Sequence, residues 1–388
     1  MTDRVENAGA VARKLDFLQE KGFVVLSIQD SSEFPSNKFY DELWSVVSYP
    51  SFQLEKEHIM PTSTVSPPQL DPQLEYLSKS GQTFITEPTL LNGNLNDFYE
   101  ANGYLVVPNA LSMLELEQLR DETLRICRGE RGVIEGVVPA PPEVDDAEVL
   151  RNYLCIHFPH KISDVMYKYL ATPKMVGALL EIIGPDVKCM QSMLFIKANG
   201  KPGQAWHQDE DFIPTRDRSL VGGWIAMDDA TIENGCLWVI AGSHKHGLLW
   251  PLEMQNDSRF DCADESRGFP YTDADATAVE VKAGSIVFFN GYLLHRSFPN
   301  RAQSGYRRVL VNHYMSASSL LPWKLPEGKE HMATADYRDI VMVAGRDPYS
   351  WKGTKEIAKP MVRPSGEGGC EKWGARREKE RAADQVNM

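Results

Sequence analysis

From Val187 onward the chain is written in short apolar runs, and that texture restricts its fold more than any other feature. Strands are expected at 187–198, 220–228, 235–241, 278–282, 285–290 and 307–315. Turn signals such as Glu233-Asn234-Gly235 and Lys282-Ala283-Gly284 lie between them. No helical pattern alternates with these runs, and a parallel α/β sheet needs a crossover helix between successive strands. A doubly wound fold is therefore not expected. The pattern points instead to an antiparallel sandwich or barrel, a mainly β core in an α+β chain.

The helical signals come earlier. Ser112 and Glu115 have capping-box spacing, and Leu116, Leu119, Thr123 and Ile126 recur at helical period. Residues 129–147 read as an acidic, Gly/Pro-rich surface loop, and another helix follows Ile162. Thr172 is an N-cap with Pro173 at the first helical position; that helix runs to Ile183 and stops at Gly184-Pro185. FLQEKGFVVL (17–26) and FYEANGYLVV (98–107) share a helix–glycine–strand pattern, either a partial duplication or a coincidence of a generic motif. Four prolines between Pro61 and Gln73 mark a linker. The expected organisation is an N-terminal extension over 1–91, a β domain over 92–325 and a C-terminal extension over 326–388. Within that last part a helical fragment is expected in 336–352, and about fifteen terminal residues read as solvated and mobile.

With 388 residues, 42% hydrophobic and 24% charged, the chain has globular proportions and enough length for one large core or two modest ones. A net charge of −13 argues against a phosphate-binding surface and against nucleic acid as partner. There is no apolar run long enough to span a membrane, no secretory h-region near Met1 and no retention or peroxisomal address at Met388. Cys127, Cys155, Cys189, Cys236, Cys262 and Cys370 never occur at C-x-x-C spacing, which argues against structural zinc. Such scattered thiols suit a reducing, cytoplasmic setting, with Cys189 and Cys236 packing as small hydrophobes.

The chemistry concentrates in Trp206-His207-Gln208-Asp209-Glu210-Asp211. In an extended segment, residues two apart share a face, so His207 and Asp209 present an imidazole and a carboxylate together while Gln208 turns away. That is two thirds of the 2-His-1-carboxylate triad of non-haem iron sites. Spacing alone is weak, since a hydrogen-bonded pair at a strand end reads the same way.

Several histidines could complete the set. His58 lies near the linker and His331 in the loosened tail; His157 and His160 flank a proline in IHFPHK; His244 and His246 share a turn; His313 sits inside an apolar strand, as core histidines do. His295 stands out because it follows a strong strand and the turn Asn290-Gly291, far along the chain from Asp209. In a rolled antiparallel sheet such distant residues meet inside the barrel. Twelve residues on, Arg307 and Arg308 open another strand, and alternation lets one of them point inward as a carboxylate clamp.

Taken together, Met193-Leu-Phe-Ile-Lys197, WHQDEDFIP (206–214), GWIAMDDATIENGCLWVIAGSHKHG (223–247), His295-Arg-Ser297 and Gly305-Tyr-Arg307 resemble the phytanoyl-CoA dioxygenase family of Fe(II)- and 2-oxoglutarate-dependent oxygenases. The resemblance covers about residues 95–320. It implies a double-stranded β-helix of the jelly-roll, cupin-like kind, with helices packed outside. It implies iron held by His207, Asp209 and His295, and 2-oxoglutarate gripped by Arg307 with help from Ser297 and lined by Trp224 and Met193. It also implies O2 as oxidant, with 2-oxoglutarate converted to succinate and CO2 as a small-molecule substrate is oxidised, by hydroxylation or by another oxidation such as desaturation or ring closure. Asp209 argues against halogenation, because related halogenases lack that carboxylate. At residue 211 the family's type member has histidine and this chain has Asp211, on the substrate side, so the resemblance does not carry the phytanoyl-CoA substrate across. Asp211 and Arg216, in a charged run after the motif, are the candidate substrate contacts, and an acidic mouth suits a neutral or cationic molecule. Two rival readings are a cupin-type metal oxygenase that uses no keto acid and a non-catalytic ligand-binding member of the fold.

Overall fold

The computed structural model describes residues 95–261, 264–320 and 338–363. The 17–26 unit, the 61–73 linker, His58, His331, Cys262, Cys370 and the tail beyond 363 lie outside the described residues.

The described chain begins with helix α1 (Leu95–Asn102), which stops at Gly103 and passes into strand β1 (Tyr104–Val107). This is the helix–glycine–strand unit read at 98–107. Ser112 then caps helix α2 (Met113–Cys127) with both capping-box bonds formed to Glu115. The loop over 129–145 leads to helix α3 (Asp146–Arg151) and strand β2 (Cys155–His157). Helices α4 (Asp164–Lys168) and α5 (Pro173–Ile182) follow, with Thr172 and Pro173 in their expected capping roles.

The strands come next, as the sequence pattern requires: β3 (Val187–Ala198), β4 (Gln204–His207), β5 (Val221–Ala226), β6 (Leu237–Val239), β7 (Leu252–Glu253), β8 (Glu265–Ser266), β9 (Thr277–Val279), β10 (Ile286–Asn290), β11 (His295–Ser297), β12 (Tyr306–Ser316), β13 (Val341–Ala344) and β14 (Met361–Arg363). The large sheet runs β1-β10-β5-β12-β3-β2-β14, with β13 also on β3; the small one runs β4-β11-β6-β9, and every ladder in both is antiparallel. The helical fragment expected in 336–352 is corrected: its described part holds β13 and a single 3-10 turn, Ser350–Lys352. Val341, Met342 and Val343 form an apolar run too short for its period to tell strand from helix. Both β13 and β14 join the large sheet.

Alternation along each strand sorts side chains into two cores. On β12, Leu310 and Tyr314 face outward, where Leu116, Leu119 and Ile126 of α2 and Met175 and Leu179 of α5 cover the sheet. Val309 and Val311 face inward and join Phe195, Trp224 and Phe289 with Val239 and Val279 of the small sheet. The inner core therefore lies between the two sheets of a double-stranded β-helix. Among the described residues no helix is long and apolar enough to cross a membrane.

Candidate metal centre and co-substrate pocket

His207 ends β4 and pairs directly with His295, the first residue of β11. That ladder brings the two imidazoles to a ring separation of 4.1 Å, from positions far apart in the chain. Gln208 remains extended, and Asp209 opens a 3-10 turn over Asp209–Asp211 rather than continuing the strand. The same-face expectation survives because the bend comes after Gln208. Asp209 Oδ1 lies 3.7 Å from Nε2 of His207 and 3.7 Å from Nε2 of His295. Within this trio each residue offers one ligand atom, and those atoms lie within 4.8 Å of one another. Gln208 turns away as expected. Its amide donates to the carbonyls of Leu248 and Tyr292 and accepts from Trp250 N–H, so it ties two loops behind the cluster.

The donor set suits a ferrous ion. The Nδ1 of His207 faces the carbonyl of Ala205 at 2.8 Å, and that of His295 faces the carbonyl of Leu293 at 2.9 Å. A nitrogen beside a carbonyl must carry the proton, so each Nε2 presents a lone pair to the gap. Two neutral imidazoles and a carboxylate are the set that leaves open positions on non-haem iron. Burial alone would raise the Asp209 carboxyl pKa, but His295, His313 and His207, wherever they are protonated, and the His313 hydrogen bond outweigh it and hold the group well below the usual carboxylate range.

His313 is buried, as expected of a core histidine; what the sequence does not give is its partner. Its Nε2 donates to Asp209 Oδ2 at 3.0 Å, leaving Oδ1 toward the two other imidazoles. The signal lay in the spacing: Arg307, Val309, Val311 and His313 fall on alternate positions of β12 and share its inner face. The other histidines among the described residues go elsewhere. His157 meets Gln191, His160 meets Ser192, His244 meets the Glu100 carbonyl, and His246 meets Tyr271.

Arg307 is the inward arginine. It is 3% exposed, its guanidinium lies 5.6 Å above the Trp224 ring, and its Nε has no hydrogen-bond partner. Burial lowers its pKa to about 10. Arg308 points the other way and forms two 2.8 Å bonds to the Asp228 carboxylate. Across the ladder Arg307 pairs with Lys197, which is also buried. Lys197 donates to Ser297 Oγ at 2.9 Å, and Ser297 follows His295 by two residues on the same strand face. A polar line therefore runs from the histidine cluster through Ser297 and Lys197 to Arg307, with Met193 and Trp224 in the apolar wall beside it. Lys197 closes the run MLFIK, and its phase with Met193 is the clue the sequence offers to its place.

Of the expected substrate contacts, Asp211 is half-buried, its Oδ2 lacks a partner, and burial pushes its pKa up to about 6. The Arg216 side chain is exposed, and its backbone N–H bonds Ser319 Oγ.

A profile described as phytanoyl-CoA dioxygenase (PhyH) matches residues 99–309, more than half of the chain. The chain belongs to the PhyH family. A phytanoyl-CoA dioxygenase of Arabidopsis thaliana is 38% identical over 149 residues, 37% of this chain and 50% of that protein. A probable phytanoyl-CoA dioxygenase of Caenorhabditis elegans is 29% identical over 261 residues, 61% of this chain and 80% of that one. Among solved structures, a non-heme monooxygenase, ThoJ in its apo form, superposes with a TM-score of 0.51 at 21% identity, covering 76% of this chain and 99% of its own. That likeness speaks to the fold. Membership in the PhyH family sets the enzyme class, a non-haem iron oxygenase dependent on 2-oxoglutarate.

Proposed function

We propose that this PhyH-family chain oxidises a small-molecule substrate, by hydroxylation, while converting 2-oxoglutarate to succinate and CO2. In this reading His207, Asp209 and His295 hold Fe(II), and Arg307 with Ser297 holds the far carboxylate of 2-oxoglutarate. The observation that carries it is the buried guanidinium of Arg307, opposite the buried Lys197 and hydrogen-bonded to no carboxylate among the described residues. A guanidinium sealed in an apolar wall is costly unless an anion joins it. Ser297 stands two residues from His295, and two residues of strand advance roughly 6.7 Å, the scale of a five-carbon diacid. An oxygenase without a keto acid would give this guanidinium no diacid to bind.

Ferrous iron, when bound, supplies the activation of O2 and the oxidative decarboxylation of the keto acid. The chain supplies the rest. The Ala205 and Leu293 carbonyls keep both imidazoles in the tautomer that can ligate. His313 occupies one oxygen of Asp209 and orients the other. Trp224 lies beneath the Arg307 guanidinium, which keeps its charge at any working pH. Val311, Phe289 and Val239 exclude water beside the cluster.

Asp211 is proposed to touch the substrate, because a partly buried carboxylate oxygen without a partner is open to a donor. This favours a neutral or cationic molecule over an acyl-CoA, and the exposed Arg216 belongs to the rim of the same mouth. A reducing cytoplasmic setting is part of the reading. The test is a substrate panel scored by succinate release. His207→Ala and Asp209→Ala are each expected to abolish succinate formation while the circular dichroism spectrum stays native. Activity retained in both variants, or stimulation by acyl-CoA thioesters alone, would count against the assignment and the substrate class respectively.

A further inference from the structure

Ser297 is held by two donors at once. Its Oγ accepts from Lys197 Nζ at 2.9 Å and from the Gln204 backbone N–H at 3.3 Å. A serine hydroxyl has two lone pairs and one proton. With both lone pairs engaged, the proton is left to donate, and no protein acceptor meets it among the described residues. The surrounding backbone is fitted closely to this arrangement. Gly203, just before β4, approaches the Ser297 carbonyl so nearly that a Cβ would lie 1.8 Å from its oxygen. Gly235, at φ +85°, leaves room for Lys197, where a Cβ would come within 3.0 Å of Nζ and 2.3 Å of the Phe298 oxygen. Lys197 spends a second bond on that Phe298 carbonyl at 2.8 Å, so its direction is fixed.

Lys197 is 2% exposed, and both its acceptors are neutral. Burial and the facing Arg307 drive its pKa well down, and Asp261 opposes them less strongly. A lysine that only filled space here would be replaceable by an apolar side chain of similar length at little cost. Its bonds instead decide which way a neighbouring hydroxyl points.

We propose that Lys197 is a positioning residue for the co-substrate: it fixes Ser297 as a hydrogen-bond donor to the far carboxylate held by Arg307. The proposal rests on the 2-oxoglutarate reading above. It gives Lys197 no contact with the reacting end, so its removal weakens ligands that carry a far carboxylate and spares those that lack one.

The test is anaerobic calorimetric titration of the Fe(II)-loaded protein with 2-oxoglutarate and, separately, with oxalate, which has no far carboxylate. Lys197→Met is expected to weaken 2-oxoglutarate at least about tenfold, as loss of a hydrogen bond network to a charged group does, and to leave oxalate within about twofold. Added to Ser297→Ala, Lys197→Met should weaken 2-oxoglutarate by only about twofold more, because its action runs through the hydroxyl. Lys197→Gln keeps a donor without the charge and should fall between; it also serves if Lys197→Met does not fold. Equal losses for both ligands, no loss for either, or independent losses in the double variant would overturn the proposal. If 2-oxoglutarate binds no more weakly to Arg307→Ala than to the parent protein, the co-substrate reading itself fails, which is a separate result.

Discussion

His313 shows how far a single position can be read before coordinates exist. Its apolar neighbours made it look like a core histidine, and it is buried, yet its Nε2 is spent on Asp209. Alternation from Arg307 would have placed it on the inner face, but alternation does not say which inward residue lies beside the cluster. That depends on the crossing of β12 with β4 and β11, which is a property of the closed barrel. Arg307 and Arg308 posed the same limit in reverse: their order in the chain allowed one inward arginine without saying which. The Asp228 carboxylate, already bonded to Arg308, decides it. Residues that orient a metal ligand usually matter to metal affinity by roughly 10–100-fold. His313→Leu is therefore expected to weaken Fe(II) or Co(II) binding within that range, with His313→Gln recovering part of it through an amide donor near the Nε2 position. Metal affinity measured by competition with a chromophoric chelator checks this; unchanged affinity in His313→Leu would remove His313 from the site.

At the scale of elements, the caps and turns were the most legible features. Ser112, Glu115, Thr172 and Pro173 act locally, and the structure places them in the roles their spacing implies. Strands β13 and β14 were not legible, because each is short and gains stability only by pairing with β3 and β2. Helix α2 carries a pH-sensitive tie of its own. Burial would raise the Glu122 pKa, but Arg131 and Ser163 bond its carboxylate and the balance lowers it. A carboxyl with a lowered folded pKa adds stability that is present above its unfolded value near 4.5 and is lost as pH falls through the folded value. Glu122→Gln should accordingly lower the melting temperature at neutral pH and flatten its decline at acid pH. Parallel melting curves for the two proteins down to about pH 3 would contradict that account.

For the whole molecule, the order of helices followed by strands argued against a doubly wound fold, and the motifs around His207, Asp209 and His295 carried the resemblance to the PhyH family. Neither gave the polar line His295–Ser297–Lys197–Arg307, because it joins three strands from different parts of the chain through one ladder register and one side-chain hydrogen bond between the two sheets. In the proposed reading, that line is what would turn a histidine–carboxylate cluster into a site for a metal-chelating diacid. The most direct measurement is the visible absorption of the protein with Fe(II) and 2-oxoglutarate under anaerobic conditions. A metal-to-ligand charge-transfer band should appear in the parent protein, vanish in Asp209→Ala, and need a much higher 2-oxoglutarate concentration in Arg307→Ala. A parent protein that binds Fe(II) but develops no such band at saturating 2-oxoglutarate would contradict the account.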